Sequence, residues 1–115
     1  MKEYMLVAKA KPGVGGFRDS QDRKIFMERF QVWERELTEK KQFIRSDILS
    51  TEYKKVAQNE EKMLITDGPF AETKEIISGF FLVAAKNMEE AVEITKDCPI
   101  LRFDDLEIYE IKRGL

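Results

Sequence analysis

Histidine does not occur in this sequence. Its absence removes the usual general base near neutral pH, the Ser-His-Asp and Cys-His nucleophile pairings, and the commonest ligand for zinc, copper and non-haem iron. Cysteine occurs once, as Cys98, so no intrachain disulfide can form and a thiolate metal site has no ligand set. A hard cation would need a carboxylate loop of the Asp-x-Asp-x-Asp-Gly kind, and none is present. The expectation is neither metal nor cofactor. No apolar run reaches the length of a membrane span, and Met1-Lys2-Glu3 leads straight into a strand-like run without the pattern of a signal peptide. A cytoplasmic location is the resulting expectation. Charge of one sign is also missing: 20 basic against 22 acidic side chains leave a net charge of -2. Lys40-Lys41 and Lys54-Lys55 are flanked by acids or amides, so there is no clustered positive charge to follow a nucleic-acid backbone.

What is there suits one domain spanning residues 1–115, with 43% hydrophobic and 37% charged residues. From Lys2 to Lys11, Tyr4, Leu6 and Ala8 alternate with Met5, Val7 and Lys9, as in a strand. Pro12-Gly13-Val14-Gly15-Gly16 interrupts regular structure, and Asp19 or Ser20 can cap a helix. Between Gln21 and Lys40, Phe26, Phe30, Trp33 and Leu37 recur at helical spacing and form one apolar stripe. Phe43 to Val56 is β-compatible but irregular, and Gln58-Asn59-Glu60-Glu61 reads as a polar turn before Lys62 to Thr66, which together suggest a hairpin. The run Phe80-Phe81-Leu82-Val83 suits a central strand. Asn87 and Glu90 make a capping-box pattern for a second helix, with Met88, Ala91, Val92 and Thr95 on its inner face and Pro99 ending it. Leu106 to Ile111 supplies a last strand.

This order predicts an α+β ferredoxin-like sandwich: two helices on one face of a mainly antiparallel sheet of four to five strands. The other face is not polar, because Met5, Val7, Phe80 or Phe81, Tyr109 and Ile111 project there. A second copy of the chain is the economical cover, so a homodimer through the sheet face is expected, with a pocket between the sheets.

The segment from Thr66 to Glu75 concentrates chemistry. Pro69 fixes its own φ and pushes Gly68 to an extended conformation, while the Asp67 carboxylate can accept backbone N–H groups two residues on, so Phe70 is aimed reproducibly. Glu72, Thr73, Lys74 and Glu75 add two carboxylates, a hydroxyl and an ammonium within four positions. The candidate ligand-binding set is Asp67, Gly68, Pro69, Phe70, Glu72, Thr73, Lys74 and Glu75. Asp67 and Lys74 are the catalytic candidates, as acid or base and electrostatic partner. Read plainly, the same residues are a turn, a hydrophobic plug and a solvated rim.

The stretch Asp67-Gly68-Pro69-Phe70-Ala71-Glu72-Thr73-Lys74-Glu75 resembles the signature of the DGPF-domain branch of the YCII-related family. Met5-Leu6-Val7, Ser78-Gly79-Phe80-Phe81-Leu82, Cys98-Pro99 and Leu106-Glu107-Ile108 extend the likeness over nearly the whole chain. The resemblance implies a ferredoxin-like fold assembled as a dimeric α+β barrel. Some DGPF-domain proteins are encoded beside sigma factors of the extracytoplasmic-function type. In related YCII proteins it implies a His-Asp pair, and one branch removes chloride from a chlorinated hydroxyquinol. That pair does not carry over: histidine is missing, and Cys98 stands before Pro99 where the pair's Asp is expected. Lys40-Lys41-Gln42 replaces a turn in which glycine is common.

Other features read as structural. Pro12 to Gly16 lacks the third glycine of a dinucleotide loop, Arg18 standing in its place. Cys98 has no activating base or cation nearby in sequence and reads as a small buried hydrophobe; Trp33 reads as core. Arg45 and Asp47 share a strand face and can pair at the cleft. The function expected is a small-molecule-binding or regulatory module with its pocket around Asp67 to Glu75. The alternative is a cofactor-free enzyme doing acid/base chemistry on a small polar or aromatic compound.

Overall fold

A computed structural model describes residues 1–11, 17–50, 52–67 and 76–113 of the chain. The elements are β1 (Lys2–Ala10), α1 (Ser20–Glu39), β2 (Phe43–Ile48), β3 (Lys54–Asn59), β4 (Lys62–Asp67), β5 (Ile77–Ala85), α2 (Met88–Lys96), a short 3-10 helix (Pro99–Arg102) and β6 (Asp104–Glu110). Four strands form one sheet in the order β2-β5-β1-β6, every neighbour antiparallel. β3 and β4 form a separate two-stranded hairpin. The irregular stretch from Phe43 to Val56 is therefore not one arm of a hairpin. It divides into β2, which joins the main sheet beside β5, and β3, which does not. The expected turn does hold at Glu60-Glu61, with Glu60 at a φ of 57°.

α1 begins where Asp19 accepts a hydrogen bond from the Asp22 N–H at 2.9 Å, satisfying one of the donors a helix start leaves free. Its stripe turns Phe26, Trp33 and Leu37 inward, with Phe30 half-buried beside them. At its end Lys41 adopts a φ of 59°, and the N–H groups of Lys41 and Gln42 donate to the carbonyls of Thr38 and Leu37. That is the left-handed cap in which glycine usually sits, achieved here with a lysine.

α2 starts at Asn87, whose side chain accepts from the Glu90 N–H at 2.9 Å. The reciprocal half of the capping box is displaced: the Glu90 carboxylate accepts from the Lys86 N–H and from Gln42 Nε2. The buried face of α2 is Ala91, Ile94 and Thr95. Met88 is exposed, a correction to the inner face expected from sequence, because it occupies the first residue of the helix, short of the turns that meet the sheet.

The core lies between the two helices and one face of the main sheet. Tyr4, Leu6, Ala8, Phe81, Val83 and Ala85 come from the sheet, and Phe26, Trp33, Leu37, Ala91 and Ile94 from the helices. Trp33 packs edge-on against Phe81, ring centroids 5.6 Å apart, and donates its indole N–H to the Ile94 carbonyl, tying α1 to α2. Strand alternation sends Phe80 and Leu82 to the other face and Phe81 into the core, which settles which phenylalanine does which. Among the described residues no helix is long and apolar enough to cross a membrane.

Candidate functional site

One end of the main sheet is built from small residues. Ala8 and Ala10 lie on the helix-facing side of the central strand β1, and Gly79 lies opposite Ala8 on β5. A side chain at Gly79 could not be accommodated, since its Cβ would meet the Asp47 carbonyl oxygen at 2.7 Å. Phe26 from α1, Phe17 before it, Phe81 from β5 and Ile100 from the 3-10 helix surround this end. Alanine and glycine beneath phenylalanine leave volume unfilled, and a cavity of about 160 Å³ results.

The cavity has a polar wall. Between Ala8 and Lys9 the register of β1 against β5 slips, so that Ala8 faces Gly79 and Lys9 faces Ile77, leaving Ser78 as the extra residue of a β-bulge. A bulge re-aims its side chain. Ser78 Oγ comes within 2.5 Å of Asp104 Oδ2, reaching across β1 to the first residue of β6, and within 3.3 Å of the Ala8 carbonyl oxygen. Asp104 is 1% exposed, and its other oxygen, Oδ1, is buried without a hydrogen-bond partner. An unpaired buried acceptor costs about 1–3 kcal/mol. Ser78 and Asp104 stand in the cavity wall, while the unpaired Oδ1 itself is sealed from solvent. Tyr4 also buries an unpartnered hydroxyl, but inside the packed core rather than against a cavity.

A larger groove of about 430 Å³ runs between α1 and α2, past Trp33, Glu36, Lys40, Gln42 and Glu90. Within it Gln42 donates to Glu90, the Trp33 indole donates to the Ile94 carbonyl, and Glu93 pairs with Lys96. It is a cleft between helices, with Glu36 and Lys40 exposed along it.

Of the residues singled out in the sequence, Asp67 ends β4, its backbone opposite Lys54. Gly68, Pro69, Phe70, Ala71, Glu72, Thr73, Lys74 and Glu75 lie outside the described residues, as does the Pro12 to Gly16 segment. Arg45 and Asp47 do pair, Nε to Oδ2 at 2.7 Å, on an exposed stretch of β2 whose Asp47 also lines the cavity. Cys98 is 2% exposed, and burial pushes its thiol up to about 12, so it stays protonated and inert as a nucleophile. Among the described residues no group of three or more His, Cys, Asp or Glu side chains is placed to share a metal ion. Sequence reasoning missed Ser78 and Asp104. The available signals were the small residues Ala8, Ala10 and Gly79 at strand positions that normally carry bulk, and an aspartate at the start of the last strand.

Two helices packed on one face of an antiparallel sheet, with a cavity at one end of that sheet, define a ferredoxin-like α+β fold built around a small-molecule-sized space. The profile of the YCII-related domain matches residues 2–114, and the chain belongs to that family. A 34-residue stretch is 44% identical to an uncharacterized protein of Rhizobium meliloti (strain 1021), covering 30% of this chain and 27% of that protein's length. Among solved structures, the fold is similar to 5-chloro-2-hydroxyhydroquinone dehydrochlorinase (TftG) from Burkholderia phenoliruptrix AC1100, in complex with 2,5-dihydroxybenzoquinone. The TM-score is 0.55 and the identity 13%, over 97% of this chain and 95% of that one. At that identity the likeness is one of fold.

Proposed function

We propose that the chain is a small-molecule-binding module of the DGPF type within the YCII-related family, its ligand entering the cavity bounded by Ala8, Gly79, Phe81 and Asp104. The observation that carries this reading is an apolar space large enough for one ring, with Ser78 and the buried Asp104 in its wall. The Asp67 to Glu75 segment belongs to the same site in this reading. Chain connectivity supports that, because Ile76, its first described neighbour, accepts a hydrogen bond from the Ala10 N–H, at the same end of β1 as the cavity. The similar dehydrochlorinase, solved with a small quinone, supports small-molecule binding in this fold.

A homodimer through the open sheet face completes the proposal. The apolar Val7, Phe80 and Leu82 on that face support it, and sedimentation at micromolar concentration tests it, a monomer counting against it. The single cysteine, with no disulfide to maintain, is consistent with a cytoplasmic setting.

Thermal-shift screening with ring compounds tests the binding reading. At least one compound raises the unfolding midpoint of the native chain, and Ala8→Val, which fills the cavity, loses that shift while remaining folded. Compounds recovered unaltered after incubation identify a binding module. Conversion of a stabilising compound, abolished in a folded Asp67→Asn variant, would instead establish the acid/base enzyme with Asp67 as its proton-transfer group and Lys74 as its partner.

A further inference from the structure

Resting on the reading of the chain as a homodimer through its open sheet face, we infer that the β3–β4 hairpin is an arm of that dimer, closing its apolar ladder against the hairpin of the second copy. The ladder follows from register. Val56 lies opposite Ile65 and Gln58 opposite Met63, so strand alternation gathers Val56, Ile65 and Met63 on one face. All three are at least 60% exposed in the single chain. β3 and β4 pack on each other, and neither packs to any extent on another described element. A two-stranded hairpin with nothing against it is marginal in water, and covering three apolar side chains on one face is what would hold it.

Shape decides where that cover comes from. The chain measures 49 × 42 × 18 Å, and the short dimension is about the depth of one sheet and one layer of helices. The hairpin therefore projects within the plane of the slab, with neither its own sheet nor its own helices lying over it. A two-fold axis relating two sheets stacked face to face runs in the plane between them. An element projecting sideways along that line meets its own copy there, and the patch it presents need only match itself. An apolar ladder does.

Charge and area favour a second copy over other occupants. Between residues 52 and 66, Lys54, Lys55 and Lys62 are balanced by Glu52, Glu60 and Glu61. No excess of positive charge is present to draw the hairpin to an anionic lipid surface or to nucleic acid. One face of two six-residue strands spans roughly 200 Å², whereas a stable protein interface takes about 800 Å² from each partner. An unrelated protein held by the hairpin alone would have too little to grip. A second copy already held by the sheet face needs only the addition.

Sedimentation equilibrium and cross-linking test the arm. The native chain is expected to dimerise, and Val56→Asp and Ile65→Asp are each expected to weaken dimerisation at least about tenfold, because every dimer then sets two carboxylates against an apolar ladder. Both positions are exposed in the single chain, so the circular dichroism of the dilute monomer should not change. In a Cys98→Ala background, a short bis-maleimide should join Val56→Cys chains at concentrations where the native chain is dimeric, and should not join Arg35→Cys chains, whose thiol stands on an exposed face of α1. A native chain that is monomeric at micromolar concentration removes the homodimer reading, and this inference with it. A native dimer that both aspartate variants leave unchanged, or whose Val56→Cys form does not cross-link, overturns the arm and leaves the sheet-face dimer standing. So does capture of the native chain, but not of Ile65→Asp, by phosphatidylcholine–phosphatidylserine vesicles while dimerisation is indifferent to that variant, which would give the ladder to a membrane surface instead.

Discussion

The main sheet and the β3–β4 hairpin are made of similar residues and live in opposite environments. On the main sheet Tyr4, Leu6, Phe81 and Val83 are at most 5% exposed. On the hairpin Val56, Met63 and Ile65 form an apolar ladder on one face, and each is at least 60% exposed. The radius of gyration, 16.0 Å, exceeds the roughly 13 Å of a compact chain of this length, as expected when one element stands off the body. Both regions have antiparallel strand pairing; only one has a core. The difference shows that strand pairing alone organises the hairpin, and a lone two-stranded hairpin is marginal in water. Its apolar ladder is therefore a second surface, beside the open sheet face, that the proposed homodimer could cover.

The largest effect should come from the single thiol. Cys98 reports opening of the body, and its reaction with a thiol reagent at pH 8 should be slower than that of the unfolded chain by roughly three orders of magnitude or more. Rapid stoichiometric labelling of the folded chain would show that the body is as loose as the hairpin. The same group gives the comparison a pH axis. An unfolded thiol ionises above about 8.5, whereas burial holds Cys98 protonated to about 12. Stability supplied by burying the neutral thiol is thus complete below that window and declines as pH rises through it. Cys98→Ala should flatten the decline in denaturant midpoints measured from pH 8 to 10.

Next in size is Phe81→Ala, which removes a ring packed against Trp33 and Phe30 and should cost about 3–5 kcal/mol in urea unfolding. A loss under 1 kcal/mol would mean the body is not close-packed. Lys41→Gly should stabilise by about 0.5–1 kcal/mol, because glycine relieves a side chain held at positive φ. A loss of stability would show that the lysine side chain supports the turn in another way. The smallest effect is expected from Ile65→Ala on the hairpin, within about 0.5 kcal/mol for an isolated chain, since exposed side chains away from structural contacts change little. A larger loss that grows with protein concentration would instead place the hairpin in the proposed dimer interface.

Sequence and structure agree where local periodicity carries the information. The stripe of Phe26, Phe30, Trp33 and Leu37, the cap at Asn87, and the Phe80 to Val83 run each predict an element from its own residues, and each is found. The division of the Phe43 to Val56 stretch was not legible. Its apolar residues suit either a main-sheet strand or a hairpin arm, and pairing with β5 is decided by partners more than thirty positions away. The site was legible only in part. Arg45 with Asp47 followed from strand alternation, but Ser78 and Asp104 stand 26 residues apart and meet through a register slip that no pattern in either segment announces. The Asp67 to Glu75 signature belongs to residues outside those described, and its role in the site rests on the proposal.

That register slip has a consequence for how the chain tolerates change in length. In a sheet, side chains take alternate sides, so one residue more or less exchanges inside for outside. At the bulge the chain keeps a spare residue, and the spare is Ser78. Removing it would restore an even ladder between β1 and β5 at little cost to pairing, yet would leave both oxygens of Asp104 without the hydroxyl. A shortened chain of this kind would be a well-formed protein with one polar group fewer in its cavity wall. The lining of the pocket thus depends on an irregularity in counting, and a relative shorter there by a single residue would keep the fold with a differently lined pocket.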